Sequence, residues 1–335
     1  MQPKLSIIIP LYNAEKYISA CIESLFAQTI IEQIEILVVD DHGQDSSRAI
    51  VEQLQSQHLL GSRIRLLSTP QNSGAWAARN LGISEAKGQW IGFVDADDWC
   101  EVDMYKNLLE AVDVHNADWA YCLPQKEYIT GRRELLVAPK ISSGQLTEDN
   151  RRKLLVSGVA YFWTGIYNRE FLIAKQIKFP NAKFSEDSYF WWMIVMHTTR
   201  IAIVDKVGYH YRIQSNSVSK RSDSTKSQQK QALYNTLIDR LRSEGLYDKH
   251  KSEIDYLYLK KGLLIPMLIQ AINQPKNIAQ QCNQMINIAQ KQQIEITKNR
   301  YYKNDVKTKF LYFAFTHCPK ILSSLLRLKF KQDPF

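Results

Sequence analysis

The run Trp90-Ile91-Gly92-Phe93-Val94-Asp95-Ala96-Asp97-Asp98 is an apolar segment that stops abruptly in three carboxylates. A short apolar run of this kind reads as a strand covered on both faces, and open α/β sheets place their ligands outside the carboxyl ends of such strands. Acids gathered there repel one another unless a cation neutralises them, and hard ions such as Mg²⁺ or Mn²⁺ prefer carboxylate oxygens and substrate phosphates. The run predicts either a divalent-metal corner or a solvated acidic turn ahead of the helix near Asp103.

Outward from this run the chain alternates two periodicities. Leu5–Ile9, Ile34–Asp40, Ile64–Ser68, Trp90–Asp95 and Trp119–Leu123 read as strands, while Glu15–Gln28, Ser46–Gln57, Ala75–Ala86 and Asp103–His115 carry apolar residues at helical spacing. This order predicts an α/β fold, a mostly parallel sheet flanked by helices. Residues 124–150 read as a connecting excursion. Residues 151–219 mix short helices (Asn168–Lys175, Asp187–His197) with strands (Arg200–Val204, Gly208–Ile213). Beyond the polar stretch SKRSDSTKS the sequence turns Lys/Gln-rich with helical spacing, so the expected cut is at 220–226, dividing 1–220 from a helical C-terminal extension, 221–335.

Charge follows the same division. Residues 220–335 hold 21 Lys and Arg against 9 Asp and Glu, a net of +12, whereas residues 1–219 carry 22 against 25, a net of −3. A basic tail suggests an anionic partner. The five scattered cysteines form no CxxC pair, so neither a disulfide framework nor a zinc knuckle is indicated. The N-terminus lacks the pattern of a signal peptide, and the longest apolar stretch, Gly262–Ile272, is too short for a membrane span. These features predict a cytoplasmic protein, soluble or peripheral at the inner face of the cell membrane.

Absent fingerprints narrow the chemistry. Pro10-Leu11-Tyr12-Asn13-Ala14 follows the first strand where a dinucleotide fold would carry GxGxxG, and neither GxxxxGK[ST] nor GxSxG occurs. Polar clusters instead end successive strands: Asn13, Asp40-Asp41, Asn72 with Gly74, and Asp95 to Asp98. Elements at one edge of a parallel sheet converge, which favours the metal reading of the opening run.

The segments SIIIPLYNAEKYI, ILVVDDHGQDSS, NSGAWAARNLGI and WIGFVDADDW, in this order over about residues 5–99, resemble the nucleotide-sugar half of family-2 glycosyltransferases with the GT-A fold; FSEDSYFWW and YHYRIQSNSVS extend the likeness more weakly to about residue 219. The resemblance implies a UDP-sugar donor and a Mn²⁺ or Mg²⁺ cofactor. It implies that Asp41 accepts from the uracil N3–H, that Pro10 and Tyr12 flank the base, and that Asn13 holds the loop. Asn72 to Asn80 would wrap the nucleotide with Arg79 near the diphosphate, unless Arg79 is an ion-pair partner of the strand-end acids. Asp95 would lie near ribose and metal, Asp97 would ligate the ion, and Asp98 would stand behind them. Asp187, with Glu186 as the second candidate, would take the acceptor proton and invert the anomeric centre; both also suit a helix N-terminus.

His210 and Arg212 match a segment that meets the metal or diphosphate in related enzymes, although Tyr-His-Tyr-Arg alternation also describes an edge strand. Trp191 and Trp192 could stack on a sugar or pack in the core. Asp40-Asp41 could be a turn, with Asp45 capping the next helix. His42-Gly43 replaces the Gly-Ser common after the paired acids, which leaves that turn in question. Ser217, Lys220 and Arg221 are candidates for a loop closing over the donor.

Residues 310–331 read as two short amphipathic pieces split at Pro319, binding an anionic membrane surface or packing on the domain. No nucleic-acid module accompanies the charge. The expected acceptor is a hydroxyl of a cell-surface glycan or lipid-linked glycan, in polysaccharide, lipopolysaccharide or capsule biosynthesis. The rival readings are an inactive glycan- or membrane-binding relative and a sugar nucleotidyltransferase.

Overall fold

The computed structural model describes residues 2–137, 139–214, 226–273 and 277–318. It divides into two compact units, residues 1–151 with 159–215, and residues 152–158 with 216–335. The expected cut at 220–226 falls, but for its last residue, outside the described residues.

The first unit opens with β1 (Leu5–Leu11), α1 (Ile18–Phe26), β2 (Ile34–Asp40), α2 (Ser47–Gln57), β3 (Ile64–Ser68), α3 (Ala75–Glu85) and β4 (Trp90–Phe93). β5 (Trp99–Cys100), α4 (Met104–His115), β6 (Trp119–Tyr128), β7 (Arg133–Leu135), β8 (Gly144–Gln145) and α5 (Glu148–Ser157) follow, α5 passing into the second unit after Arg151. β9 (Gly165–Asn168), α6 (Arg169–Ala174), α7 (Glu186–His197) and β10 (Arg200–Ile213) complete the series. The strands form one sheet in the order β3-β2-β1-β4-β9-β6-β10-β5, with β7 beside β6 and β8 beside β10.

From β3 to β4 every pairing is parallel, as the βα alternation requires. β9 is antiparallel to both β4 and β6, and β5 is antiparallel to β10, so the second half of the sheet is mixed. β1 and β2 are buried along nearly their whole length, which explains their continuous apolar sequence. β10 is one long strand with register shifts between Val204 and Tyr209, where sequence spacing predicts two. The excursion at 124–150 is partly strand: it extends β6 and supplies β7 and β8.

Two packing features aim the site. Gly82 lets α3 lie against β1, because a Cβ there would come within 2.4 Å of Ile8. This fixes the helix that carries Arg79 and Asn80. Phe93 at the end of β4 meets the rings of Phe162, Phe179 and Phe190 at 5.5, 5.4 and 5.7 Å, joining the acidic run to α7 through a packed aromatic core. α7 itself is apolar on every side, and Tyr189 to Met196 are all buried.

The second unit is helical: α8 (Lys226–Ser243), α9 (Lys251–Leu257), a π-helical turn (Tyr258–Leu264), α10 (Ile265–Asn273), α11 (Ile278–Lys291), α12 (Arg300–Asn304) and α13 (Val306–His317). No helix among the described residues is long and apolar enough to cross a membrane.

Candidate functional site

The loops after β1, β2 and β3 build one wall. Asp41 is 3% exposed, yet its carboxylate is held from one side. Oδ1 accepts from the Thr69 hydroxyl (2.8 Å) and the Ser73 N–H (2.9 Å), and Oδ2 accepts from the Gly74 N–H (2.7 Å). Oδ1 is saturated, while Oδ2 keeps room for one further donor. The Asp41 N–H donates to the carbonyl of Leu11, next to half-exposed Tyr12; Pro10 is half-buried, and Asn72 is exposed and adjoins Ser73 in the chain.

The altered His42-Gly43 turn is intact. His42 takes a left-handed φ of +59° and its Nε2 lies 2.6 Å from the Thr69 carbonyl. Asn13, at φ +50°, accepts the Gln44 N–H on its side-chain oxygen at 2.7 Å. Gly43 is required there, because a Cβ would come within 2.8 Å of the Asn13 nitrogen. Asp40 pairs with Arg48 at 3.0 Å, and Asp45 accepts the Ser47 N–H at the start of α2.

The acidic run after β4 is braced by the end of β10. Asp98 is 1% exposed; it accepts the Tyr209 hydroxyl (2.8 Å) and the Arg212 N–H (2.8 Å). The Tyr209 oxygen in turn accepts the Asp95 N–H at 3.1 Å. Asp98 thus ties β10 to the loop, with both of its oxygens engaged by β10. Burial first, and then repulsion from Asp97 and Asp95, hold its carboxyl well above the usual range. Asp97 accepts the Gln214 amide on Oδ2 at 2.6 Å, and Arg212 donates through Nε to the Asp97 carbonyl at 2.9 Å. Burial and the neighbouring Asp95 push the Asp97 carboxyl up to about 6 despite these contacts.

Arg79 joins this run to α7. Its guanidinium bonds Asp95 at 2.8 Å and Glu186 at 3.2 Å, and lies over the rings of Phe162 and Phe179. It is the ion-pair partner of the strand-end acids, the alternative to a diphosphate contact. Burial pushes the Glu186 carboxyl to about 7; Arg79 opposes the shift and Asp187 adds to it. Ser185 enters α7 at a left-handed φ of +66°, a strained conformation for serine that sets the direction of Glu186 and Asp187. Asp187 accepts its neighbour's N–H, from Ser188, on Oδ1 at 2.7 Å.

His210 does not join this group. Its Nδ1 lies 2.8 Å from Glu127 and its Nε2 2.9 Å from Glu101, and its ring stacks on Trp99. Both ring nitrogens are engaged by carboxylates, so the structure brings His210 to Glu101 and Glu127, where the sequence reading expected a metal or substrate contact. Trp191 and Trp192 are both 2% exposed, and Trp191 packs edge-on against Trp119, so neither presents a face to a sugar. Ser217, Lys220 and Arg221 lie outside the described residues.

Sequence reasoning missed the roles of Tyr209, Tyr211 and Gln214, and placed Asn80 at the nucleotide, not at the Phe179 backbone. Strand alternation carries the signal for Gln214, two residues beyond Arg212 on the same face of the chain. Tyr211 reports where the acids gather. Its phenol is pushed up to about 12 by burial and then by Asp98, Asp95, Asp97 and Asp187 together. Asn80 holds the Phe179 backbone with two bonds, at 2.7 and 3.0 Å. Among the described residues, no group of three or more His, Cys, Asp or Glu side chains is arranged to hold a metal ion.

Comparison with known proteins fits this geometry. Residues 6–174 match the model of glycosyl transferase family 2. An uncharacterised glycosyltransferase of Bacillus subtilis, EpsJ, is 30% identical over 297 residues, covering 85% of this chain and 84% of that one. The poly(ribitol-phosphate) beta-N-acetylglucosaminyltransferase TarS of Staphylococcus aureus is 26% identical over 253 residues, 75% of this chain and 43% of TarS. The crystal structure of TarS residues 1–349 in complex with UDP-GlcNAc superposes with a TM-score of 0.63 at 20% identity, over 97% of this chain and 92% of that one. The architecture is therefore the GT-A fold expected from the motifs.

Proposed function

This chain belongs to glycosyl transferase family 2, and on that premise we propose that it is a metal-dependent, inverting enzyme that moves a sugar from a UDP-sugar to a hydroxyl of a cell-surface glycan or lipid-linked acceptor. The supporting observation is the acidic run after β4: Asp97 Oδ1 takes no hydrogen bond from any other described residue, while Gln214 orients Oδ2. Asp95 likewise has Oδ1 bound to Arg79 and no hydrogen bond to Oδ2 among the described residues, so Mn²⁺ or Mg²⁺ would be held by these two carboxylates with diphosphate oxygens and water, the mixed shell such ions favour. Bound there, the ion would neutralise the diphosphate as it departs.

The chain's own groups supply the remainder. Asp41 would take the uracil N3–H on the open side of Oδ2, a contact that cytosine cannot make. Tyr12 would cover the base. Asp187 would remove the proton of the acceptor hydroxyl; its oxygen then bonds the anomeric carbon as the bond to the diphosphate breaks on the opposite face, giving inversion. The Glu186 carboxyl, near 7, is well matched in acidity to a base, yet it is engaged by Arg79, which leaves Asp187 for the proton.

The test is UDP release from a panel of UDP-sugars with Mn²⁺, with Mg²⁺ and with chelator, for the wild type and Asp97→Asn. Release that needs the ion and falls at least about a hundredfold in Asp97→Asn supports the reading. Full activity of Asp97→Asn in chelator contradicts it.

A further inference from the structure

α13 presents an apolar stripe to solvent. Val306, Phe310 and Phe313 are 76%, 62% and 57% exposed, and they recur at the four- and three-residue steps that place side chains on one helical face. The opposite side is anchored in its own unit through buried Thr308 and Phe315. By helical phase Lys309 borders the stripe on one side and Lys307 on the other, both exposed. The His317 ring stacks on Phe313 at 4.4 Å and continues the stripe by one turn. The helix therefore has two apolar faces, one buried in the unit and one uncovered.

Charge identifies what the second face fits. Residues 303–335 contain seven Lys or Arg against two Asp, a net of +5, and one of those acids, Asp305, is already held by Lys260. An apolar helical stripe edged by lysines suits the boundary of an anionic bilayer, where rings enter the acyl margin and ammonium groups reach lipid phosphates. A protein partner of ordinary composition supplies no such sheet of negative charge.

We propose that the Val306–Phe310–Phe313 face of α13 is a docking surface for an anionic lipid membrane. The inference is independent of the transferase chemistry and is read by lipid binding alone. The full chain is sedimented with vesicles of phosphatidylcholine, and with vesicles in which about one third of the lipid is phosphatidylglycerol. Wild type is expected to partition onto the anionic vesicles and not the neutral ones. Phe310→Ser/Phe313→Ser and Lys307→Glu/Lys309→Glu should each weaken binding at least about tenfold, and added salt should weaken wild-type binding further. Circular dichroism and UDP-induced thermal shift, unchanged in both variants, would show that the fold is kept. Wild-type protein left in the supernatant with both vesicle types overturns the proposal, as does binding by the phenylalanine variant equal to wild type. A concentration-dependent dimer abolished by Phe310→Ser/Phe313→Ser, without vesicle binding, also overturns it and assigns the face to a second copy of the chain.

Discussion

The Asp41 wall and the Asp95–Asp98 run are both acidic strand ends on one sheet, and they are held in opposite ways. Asp41 is fixed by the next loop along the chain, through the amides of Ser73 and Gly74 and the hydroxyl of Thr69. The Asp95–Asp98 run is fixed by groups more than a hundred residues away in sequence, Tyr209, Arg212 and Gln214, while Arg79 links it to Glu186, itself 107 residues from Arg79. Neutral local donors satisfy one buried carboxylate, which forms no ion pair among the described residues. The other cluster needs Arg79, and its members still shift toward protonation.

Removing the long-range cation should break this contrast most severely. Arg79→Met leaves Asp95 and Glu186 without a countercharge and should cost about 3 kcal/mol, seen as a lower midpoint in denaturant unfolding; Arg79→Lys should recover part of the loss. A midpoint unchanged in Arg79→Met would mean that the bridge is incidental.

The pH response comes next. Because the Asp97 and Glu186 carboxyls are raised in the folded chain, to about 6 and about 7, the native state binds more protons than the unfolded state between their ordinary values near 4 and these pKa values. Stability without metal should thus be highest below that window and fall as pH rises through it, by no more than about 3 kcal/mol from Asp97. Asp97→Asn should flatten the slope. A metal-free unfolding curve whose stability instead climbs from pH 4.5 to 7 would reverse the assignment.

On the local side, Asp41→Asn turns one accepting oxygen into a donor that faces an amide donor. It should cost about 2 kcal/mol and weaken UDP binding by calorimetry without altering the Arg79 bridge. The smallest effect belongs to Tyr209→Phe, which removes one donor from Asp98 and one acceptor from the Asp95 amide, for about 1 kcal/mol. Its distinguishing sign is a raised KM for donor at nearly constant kcat, reporting a displaced acidic run.

The same contrast explains what could be read from the sequence. Strands β1 to β4, the helices between them and the polar ends Asn13, Asp41 and Asp95 follow from local periodicity and from the rule that ligands gather at strand ends. The turn at His42-Gly43 is local too, and its success rests on one glycine pressed against Asn13. The fates of Asp98, Arg79 and His210 are not local. Each depends on which strand lies next to which, and β9 enters the sheet antiparallel between β4 and β6, far from its sequence neighbours. His210 shows the consequence: its type suits a metal, but Glu101 and Glu127, brought in by β5 and β6, claim both nitrogens. Tyr209 and Gln214 were legible only as alternating strand residues, since nothing nearby in sequence announces the carboxylates they hold.

On the proposed mechanism Asp187, and not the Arg79-bound Glu186, removes the acceptor proton. Single-turnover sugar transfer at saturating donor and acceptor, compared between Asp187→Asn and Glu186→Gln with UDP affinity measured on each, tests it directly. The account predicts a loss of about a thousandfold or more in Asp187→Asn at unchanged UDP affinity, against a far smaller loss in Glu186→Gln. Near-wild-type transfer by Asp187→Asn, with collapse in Glu186→Gln, would contradict it.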